Sequence, residues 1–254
     1  MNKKLVLALL TAGFSFGAVQ AHAACTDVTR AAFVAAANTA ATETAAYGFG
    51  LPMWATMVNE NGRVCHVYTT GGTGVLAGNS AWLGSRVISA QKAYTATAFS
   101  LDGLAISTGG IYVAVQPGGS LFGLQESNPV NAAAAYSLVD GFGIQRSTAN
   151  YGTATDPLVW KIIGGVNVFG GGLALYNASG IKVGGLGASG DSSCRDHVFA
   201  WRMRVALAKD ITPNSDALKF VTVAPAALFE SPECGVSLGS TILMRATNSI
   251  YGIQ

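Results

Sequence analysis

The residues with the clearest chemical potential lie where a glycine-rich run leads into a helical pattern. Residues 184–191 read Gly-Gly-Leu-Gly-Ala-Ser-Gly-Asp, with an apolar run before them and apolar residues at helical spacing after them. This pattern predicts a strand, a glycine turn and a helix, and Ser193 and Asp196 have the spacing of a capping box at the helix start. Because N–H groups at a helix start attract anions, we expect an anion-binding turn. The residues expected at this turn are Gly187, Ser189, Gly190 and Asp191.

The same glycines also match other sequence motifs. Gly185, Gly187 and Gly190 satisfy G-x-G-x-x-G, but a dinucleotide-binding fold needs further βαβ units, and only 64 residues follow. Glycines that permit a tight turn and close helix-sheet packing are the simpler interpretation. A hydrolase G-x-S-x-G motif fails, since Asp191 holds its last position. A triad of Ser189, Asp191 and His197 stays open, and no catalytic residue is identified.

Two histidines and one lysine are the candidates for holding a cofactor. His66 lies in a predicted strand and His197 in the first turn of the predicted helix. Either imidazole can ligate haem iron, although an isolated histidine is more often structural. On an earlier predicted helix, Arg86 is expected to reach solvent and Lys92 is a candidate for a pocket rim, although an exposed, solvated lysine is the simpler interpretation. The sequence has no C-x-x-C-H motif, H-x-x-x-H motif or acidic cluster, so a haem would be held noncovalently and no metal site is predicted.

The N-terminus predicts export. Lys3 and Lys4 precede an apolar run over residues 5–19, and residues 21–23 read Ala-His-Ala, which is typical of a signal peptide cleaved after residue 23. We therefore expect a periplasmic or secreted protein. No later segment has the roughly 20 apolar residues of a membrane helix.

Cysteine content and charge limit the partners of the exported part. Its four cysteines predict two disulfides in an oxidising compartment, and of three pairings we prefer those that tie each chain end to the body. The preferred pairs are Cys25 with Cys65 and Cys194 with Cys234.

The exported part has no formal net charge. Without Lys3 and Lys4 it contains 13 of the 15 basic residues and all 13 acidic residues. This balance disfavours nucleic acid and favours a small-molecule ligand, while homo-oligomer formation stays open.

The predicted elements describe one α+β domain. Helical periodicity covers residues 26–46 and 80–99, and alternating patterns indicate hairpins at 53–69 and 170–185. The polar, alanine-rich stretch 127–165 predicts a surface excursion, and strands are expected at 220–223 and 241–245. The predicted organisation is therefore a signal peptide (1–23), a domain (24–209) with an insertion at about 128–170, and a C-terminal extension (210–254) packed on the domain.

Six motifs, in this order, resemble the GlcG/HbpS-like haem-binding family, which also forms the C-terminal module of PduO-type proteins. They are NGRV at 61–64, AWLGS at 81–85, KAYTA at 92–96, QPGGSLFGL at 116–124, GGLAL at 171–175 and GLGASG at 185–190. The resemblance covers residues 26–208 outside 128–170, where family members are shorter. It implies a profilin-like antiparallel sheet flanked by helices, frequent oligomer formation, and haem or another tetrapyrrole as the ligand of some members.

Three functions follow as hypotheses. The first is an exported protein that binds haem or a related tetrapyrrole noncovalently, for sequestration or sensing. The second is a small-molecule enzyme or accessory protein whose glycine turn holds an organic acid. The third is a structural or interaction module of a periplasmic complex. Whether the protein is an enzyme is left open, and catalysis is not required by the first hypothesis.

Overall fold

The computed structural model describes residues 24–72, 78, 82 and 84–218. The helices are α1 (Ala24–Asp27), α2 (Arg30–Glu43), α3 (Ser85–Phe99), α4 (Leu124–Ser127), α5 (Ala132–Tyr136) and α6 (Ser193–Ala206). The strands are β1 (Trp54–Asn59), β2 (Val64–Thr69), β3 (Gly172–Tyr176) and β4 (Lys182–Ser189).

The four strands form an antiparallel sheet in the order β2-β1-β4-β3. Each predicted hairpin supplies two neighbouring strands, and β1 pairs with β4 to join the hairpins. Helices cover both faces. The prediction of an α+β fold with an antiparallel sheet flanked by helices is therefore confirmed.

One face of the sheet packs against α2 and α6. Phe33 of α2 and Phe199 of α6 are fully buried with Met57 and Leu186 from the two central strands. The helical periodicity predicted there is confirmed, since Phe33, Ala37 and Ala40 share one buried face, but the helix does not run through residues 26–46. It is interrupted after α1, because the hydroxyl of Thr29 accepts a hydrogen bond from the Ala32 N–H and caps α2.

The other face packs against α3, and this packing explains why β4 contains glycines. A Cβ at Gly185 would collide with the Ala93 carbonyl of α3, and one at Gly187 with the Ser89 carbonyl. Glycine thus lets the helix backbone approach the strand. The prediction that residues 184–190 form a turn is wrong, since β4 continues to Ser189, whereas close helix-sheet packing is confirmed.

The insertion contributes to the core instead of lying wholly on the surface. Its residues Leu158 and Ile163 are buried against Trp54 and the apolar side of α3. Asp156 forms a buried ion pair with Arg86, whose predicted exposure to solvent is therefore wrong. The helix α3 is therefore buried on two sides, against the sheet on one side and against the insertion on the other.

The start of α6 differs by one residue from the prediction. Ser192, not Ser193, is the N-cap, and its hydroxyl accepts a hydrogen bond from the Arg195 N–H. The carboxylate of Asp196 accepts instead from the N–H of Asp191, which precedes the helix. The capping box predicted for Ser193 and Asp196 is therefore wrong.

Disulfide bonds cross-link the described part of the chain. The predicted Cys25–Cys65 disulfide is confirmed and joins α1 to β2. Cys194 is also disulfide-bonded, but its predicted partner Cys234 lies outside the described residues. The strands predicted at 220–223 and 241–245 lie outside them as well.

Within residues 24–218, leaving aside the gaps before 84, no helix is long and apolar enough to span a membrane.

Beyond α6, the chain packs back on the domain through a buried ion pair. Arg204 donates to both carboxylate oxygens of Asp216, at 2.6 and 2.7 Å, and its guanidinium lies over the Trp201 ring. The segment that leads out of the described region is therefore held against α6.

Candidate functional site

A cavity of about 310 Å³ opens where the start of α3, the end of β4 and the start of α6 meet. The close approach of α3 to the glycines of β4 places the two elements around the cavity. Its lining residues are Trp82, Gly84, Ser85, Ile88, Lys92, Phe169, Ser189, Asp191, Ser193 and Asp196. Apolar side chains form one part of this wall, and hydroxyl and charged groups form the other.

A buried ion pair forms the polar floor of the cavity. Lys92 Nζ lies 2.7 Å from Asp196 Oδ2 and donates a second hydrogen bond, of 3.0 Å, to the Ala188 carbonyl. Both side chains are almost completely buried. Burial raises the pKa of Asp196 to about 6, although the Lys92 ammonium opposes this shift, so the carboxylate is ionised at neutral pH.

The second carboxylate of the cavity, Asp191, is surrounded by donors from the chain itself. Its oxygens accept from the N–H groups of Phe49, Leu51 and Ser192 at 2.6 to 3.1 Å. Arg195 Nη1 lies 2.6 Å away. Burial opposes ionisation, but these hydrogen bonds outweigh it and hold the pKa of Asp191 below its usual value. The carboxylate of Asp191 therefore occupies these donors near the start of α6, where the sequence predicts that an anion binds.

The residues predicted for the anion-binding turn do not share one position. Ser189 and Asp191 line the cavity. Gly187 lies beneath α3, and Gly190 packs against the backbone of Pro52 and Met53. The structure thus brings two of the four together at the cavity.

The three predicted cofactor-binding residues also separate. Lys92 lines the cavity, but His66 and His197 are not among its lining residues. His66 Nε2 is 2.7 Å from the Val28 carbonyl, its ring packs on Phe33, and burial lowers its pKa. His197 is fully buried, and its ring centroid lies 5.9 Å from that of Trp201.

Several lining residues were missed by sequence reasoning. Ser85 and Ile88 lie seven and four residues before the predicted Lys92, at the spacing of one helix face, so that face was available as a signal. Asp196 was assigned only to the helix start, because its contact with Lys92 spans 104 residues. Phe169 carried no recognisable pattern.

The arrangement suits a ligand with an apolar body and few charges. Trp82, Ile88 and Phe169 provide apolar contact area. The Lys92–Asp196 and Arg195–Asp191 ion pairs each have a net charge of zero. Within the described ranges, no group of three or more histidine, cysteine, aspartate or glutamate residues is placed to hold a metal ion.

Three solved structures are similar to this chain at low sequence identity. The PduOC:heme complex is 22% identical, with a TM-score of 0.42, covering 70% of this chain and 94% of its own. Klebsiella pneumoniae protein ORFY is 23% identical, with a TM-score of 0.44 and coverages of 71% and 90%. A double mutant of Streptomyces reticuli HbpS is 18% identical, with a TM-score of 0.42 and coverages of 80% and 99%. No curated protein matches the sequence.

The family comparison covers most of the domain. Residues 28–203 match the family described as haem degrading protein HbpS-like. This range includes α2, all four strands, α3 and nearly all of α6, and with them every lining residue of the cavity. Because the match spans more than half of the 254 residues, the chain belongs to the HbpS-like family.

Proposed function

We propose that this protein binds haem or a related tetrapyrrole noncovalently at the cavity between α3, β4 and α6. The observation that carries the proposal is an aromatic and aliphatic wall, formed by Trp82, Ile88 and Phe169, in a chain of the HbpS-like family. Flat apolar macrocycles gain most of their binding energy from such contacts.

The cavity fits part of a tetrapyrrole ring. Its volume of about 310 Å³ is at the lower end of the range of ligand pockets, so one edge of the ring enters and the remainder covers the opening. Trp82 and Phe169 are 41% and 47% exposed, so part of each side chain is accessible to such a ligand. A bound haem would supply iron-centred redox chemistry, whereas the chain supplies apolar packing and a polar floor.

The histidines do not fit the role of iron ligand at this cavity. Neither His66 nor His197 lines it, and the Lys92 ammonium is already engaged by Asp196 and a carbonyl. We therefore expect the haem affinities and Soret spectra of His66→Ala and His197→Ala to match those of the wild type. Loss of the ferric Soret shift in either variant would establish histidine ligation and move the site away from the cavity.

A haem titration with a cavity-filling variant tests the proposal. Gly84 lines the cavity at φ −69° and ψ −14°, and the nearest atom to an added Cβ is 3.4 Å away in Ile88, so Gly84→Phe fills space without backbone strain. Gly103→Phe is the matched control, because a Cβ there meets nothing within 4 Å and Gly103 does not line the cavity. We expect a saturable Soret shift in the wild type and in Gly103→Phe. Binding should weaken at least tenfold in Gly84→Phe, and equal binding by all three would refute the site.

The biological role and compartment form part of the same proposal. An exported protein that binds haem for sequestration or sensing is consistent with the predicted signal peptide, and the Cys25–Cys65 disulfide supports an oxidising compartment. Cell fractionation tests this, since retention in the cytoplasm with reduced cysteines would contradict it. Since the family description names haem degradation, decay of the Soret band under a reductant should be followed in the same samples.

A further inference from the structure

The floor of the cavity holds a hydrogen-bond donor that the fold does not fully use. A lysine ammonium has three N–H donors, and in the described part of the chain Lys92 Nζ has two acceptors, Asp196 Oδ2 and the Ala188 carbonyl. Lys92 also lines the cavity, with its side chain only 2% exposed. The third donor is therefore available to a ligand atom that reaches the floor.

The charges around this donor decide which kind of atom it accepts. Lys92 of α3 faces Asp196 of α6, and Asp191 before α6 faces Arg195, so each cation already has a carboxylate within 2.7 Å. A ligand carboxylate at the floor would add a negative charge beside two others and would lose its hydration. A neutral oxygen requires only the hydrogen bond.

We propose that Lys92 is a specificity-determining donor for a neutral oxygen, a carbonyl or hydroxyl, at the inner edge of the ligand, while ligand carboxylates stay at the opening. Asp196 is the positioning residue that holds the ammonium beside the cavity. For a tetrapyrrole, this inference rests on the proposed function and fixes the orientation of the ring, with its propionates outward.

Haem analogues that differ only in two ring substituents test the subsite. Mesohaem carries ethyl groups where diacetyldeuterohaem carries acetyl groups, whose carbonyls are neutral acceptors. We expect the wild type to bind the acetyl form roughly tenfold more tightly, as one buried hydrogen bond to a charged donor provides. Equal affinities in the wild type would overturn the subsite while leaving tetrapyrrole binding intact.

Variants and small ligands separate the remaining outcomes. In Lys92→Met/Asp196→Asn, which avoids leaving a buried charge, the acetyl preference should fall to within about twofold, and a preference that persists would exclude Lys92. Independently of haem, acetophenone should give saturable NMR shifts of Trp82 and Gly84, and benzoate should not. Tighter binding of benzoate would refute the neutral-oxygen inference, whereas failure of every haem analogue beside successful acetophenone binding would refute only the proposed function.

Discussion

Removing the ammonium of the buried Lys92–Asp196 pair should destabilise the fold in a pH-dependent way. The side chains of Lys92 and Asp196 are 2% and 4% exposed, and the two groups lie 2.7 Å apart. Lys92→Met leaves Asp196 with the Asp191 N–H but without a cation. Breaking a buried pair from one side costs about 3–5 kcal/mol, because the remaining charge is uncompensated.

The pH dependence follows from the direction of the Asp196 shift. Burial raises its pKa to about 6 in the wild type, so the folded state binds this proton more tightly than the unfolded chain, whose carboxyl has a pKa near 3.8. Its contribution to stability is therefore present below about pH 4 and is lost as pH rises through 6. Without the Lys92 charge, the pKa of Asp196 rises further and the loss extends toward neutral pH. We expect Lys92→Met to lose about 3–5 kcal/mol at pH 8 and clearly less at pH 5.

Urea unfolding followed by tryptophan fluorescence at pH 5, 6, 7 and 8 measures this effect. Lys92→Met/Asp196→Asn is the control, because it removes the titrating carboxyl and keeps an acceptor for the Asp191 N–H. The pH-dependent part of the destabilisation should disappear in this double variant. A Lys92→Met penalty that is the same at pH 5 and pH 8 would refute the reasoning.

Two further perturbations test the packing that frames the cavity. The Cys25–Cys65 disulfide closes a loop of 40 residues, so replacing both cysteines with alanine should cost about 4 kcal/mol of unfolding free energy, measured as the shift in urea midpoint; an unchanged midpoint would contradict this. Gly187→Ala should cost about 3 kcal/mol, because its Cβ would collide with the Ser89 carbonyl of α3, whereas Gly103→Ala should leave the thermal midpoint nearly unchanged. Similar midpoints for the two glycine variants would show that α3 does not need this close approach.

Local patterns in the sequence predicted most of the fold. Alternation of apolar residues and the Asn61-Gly62 turn define the first hairpin, and the buried stripe of α2 follows from the spacing of Phe33, Ala37 and Ala40. Interactions between distant residues could not be predicted in the same way. The glycines of β4 have a tight-turn signature, but their role depends on α3, which packs across them from nearly 100 residues earlier in the chain.

At the candidate site, too, local patterns predicted individual residues but not the contacts between distant ones. Lys92, Ser189 and Asp191 were identified from residue type and local position, and the structure brings them to one cavity. Asp196 was missed as the partner of Lys92, since no local pattern reports a contact across the sheet. His66 is a candidate iron ligand by residue type, because imidazole can ligate iron, but its ring is positioned by Phe33 and the Val28 carbonyl.

The absorption spectrum of protein purified from a haem-replete host tests the central claim most directly, with the wild type and Gly84→Phe prepared side by side. If the tetrapyrrole binds at the cavity between α3, β4 and α6, the wild type carries a Soret band with at most one haem per chain, and the band is absent or strongly reduced in Gly84→Phe. A wild type that takes up no haem, or a variant with an undiminished band, would contradict the account.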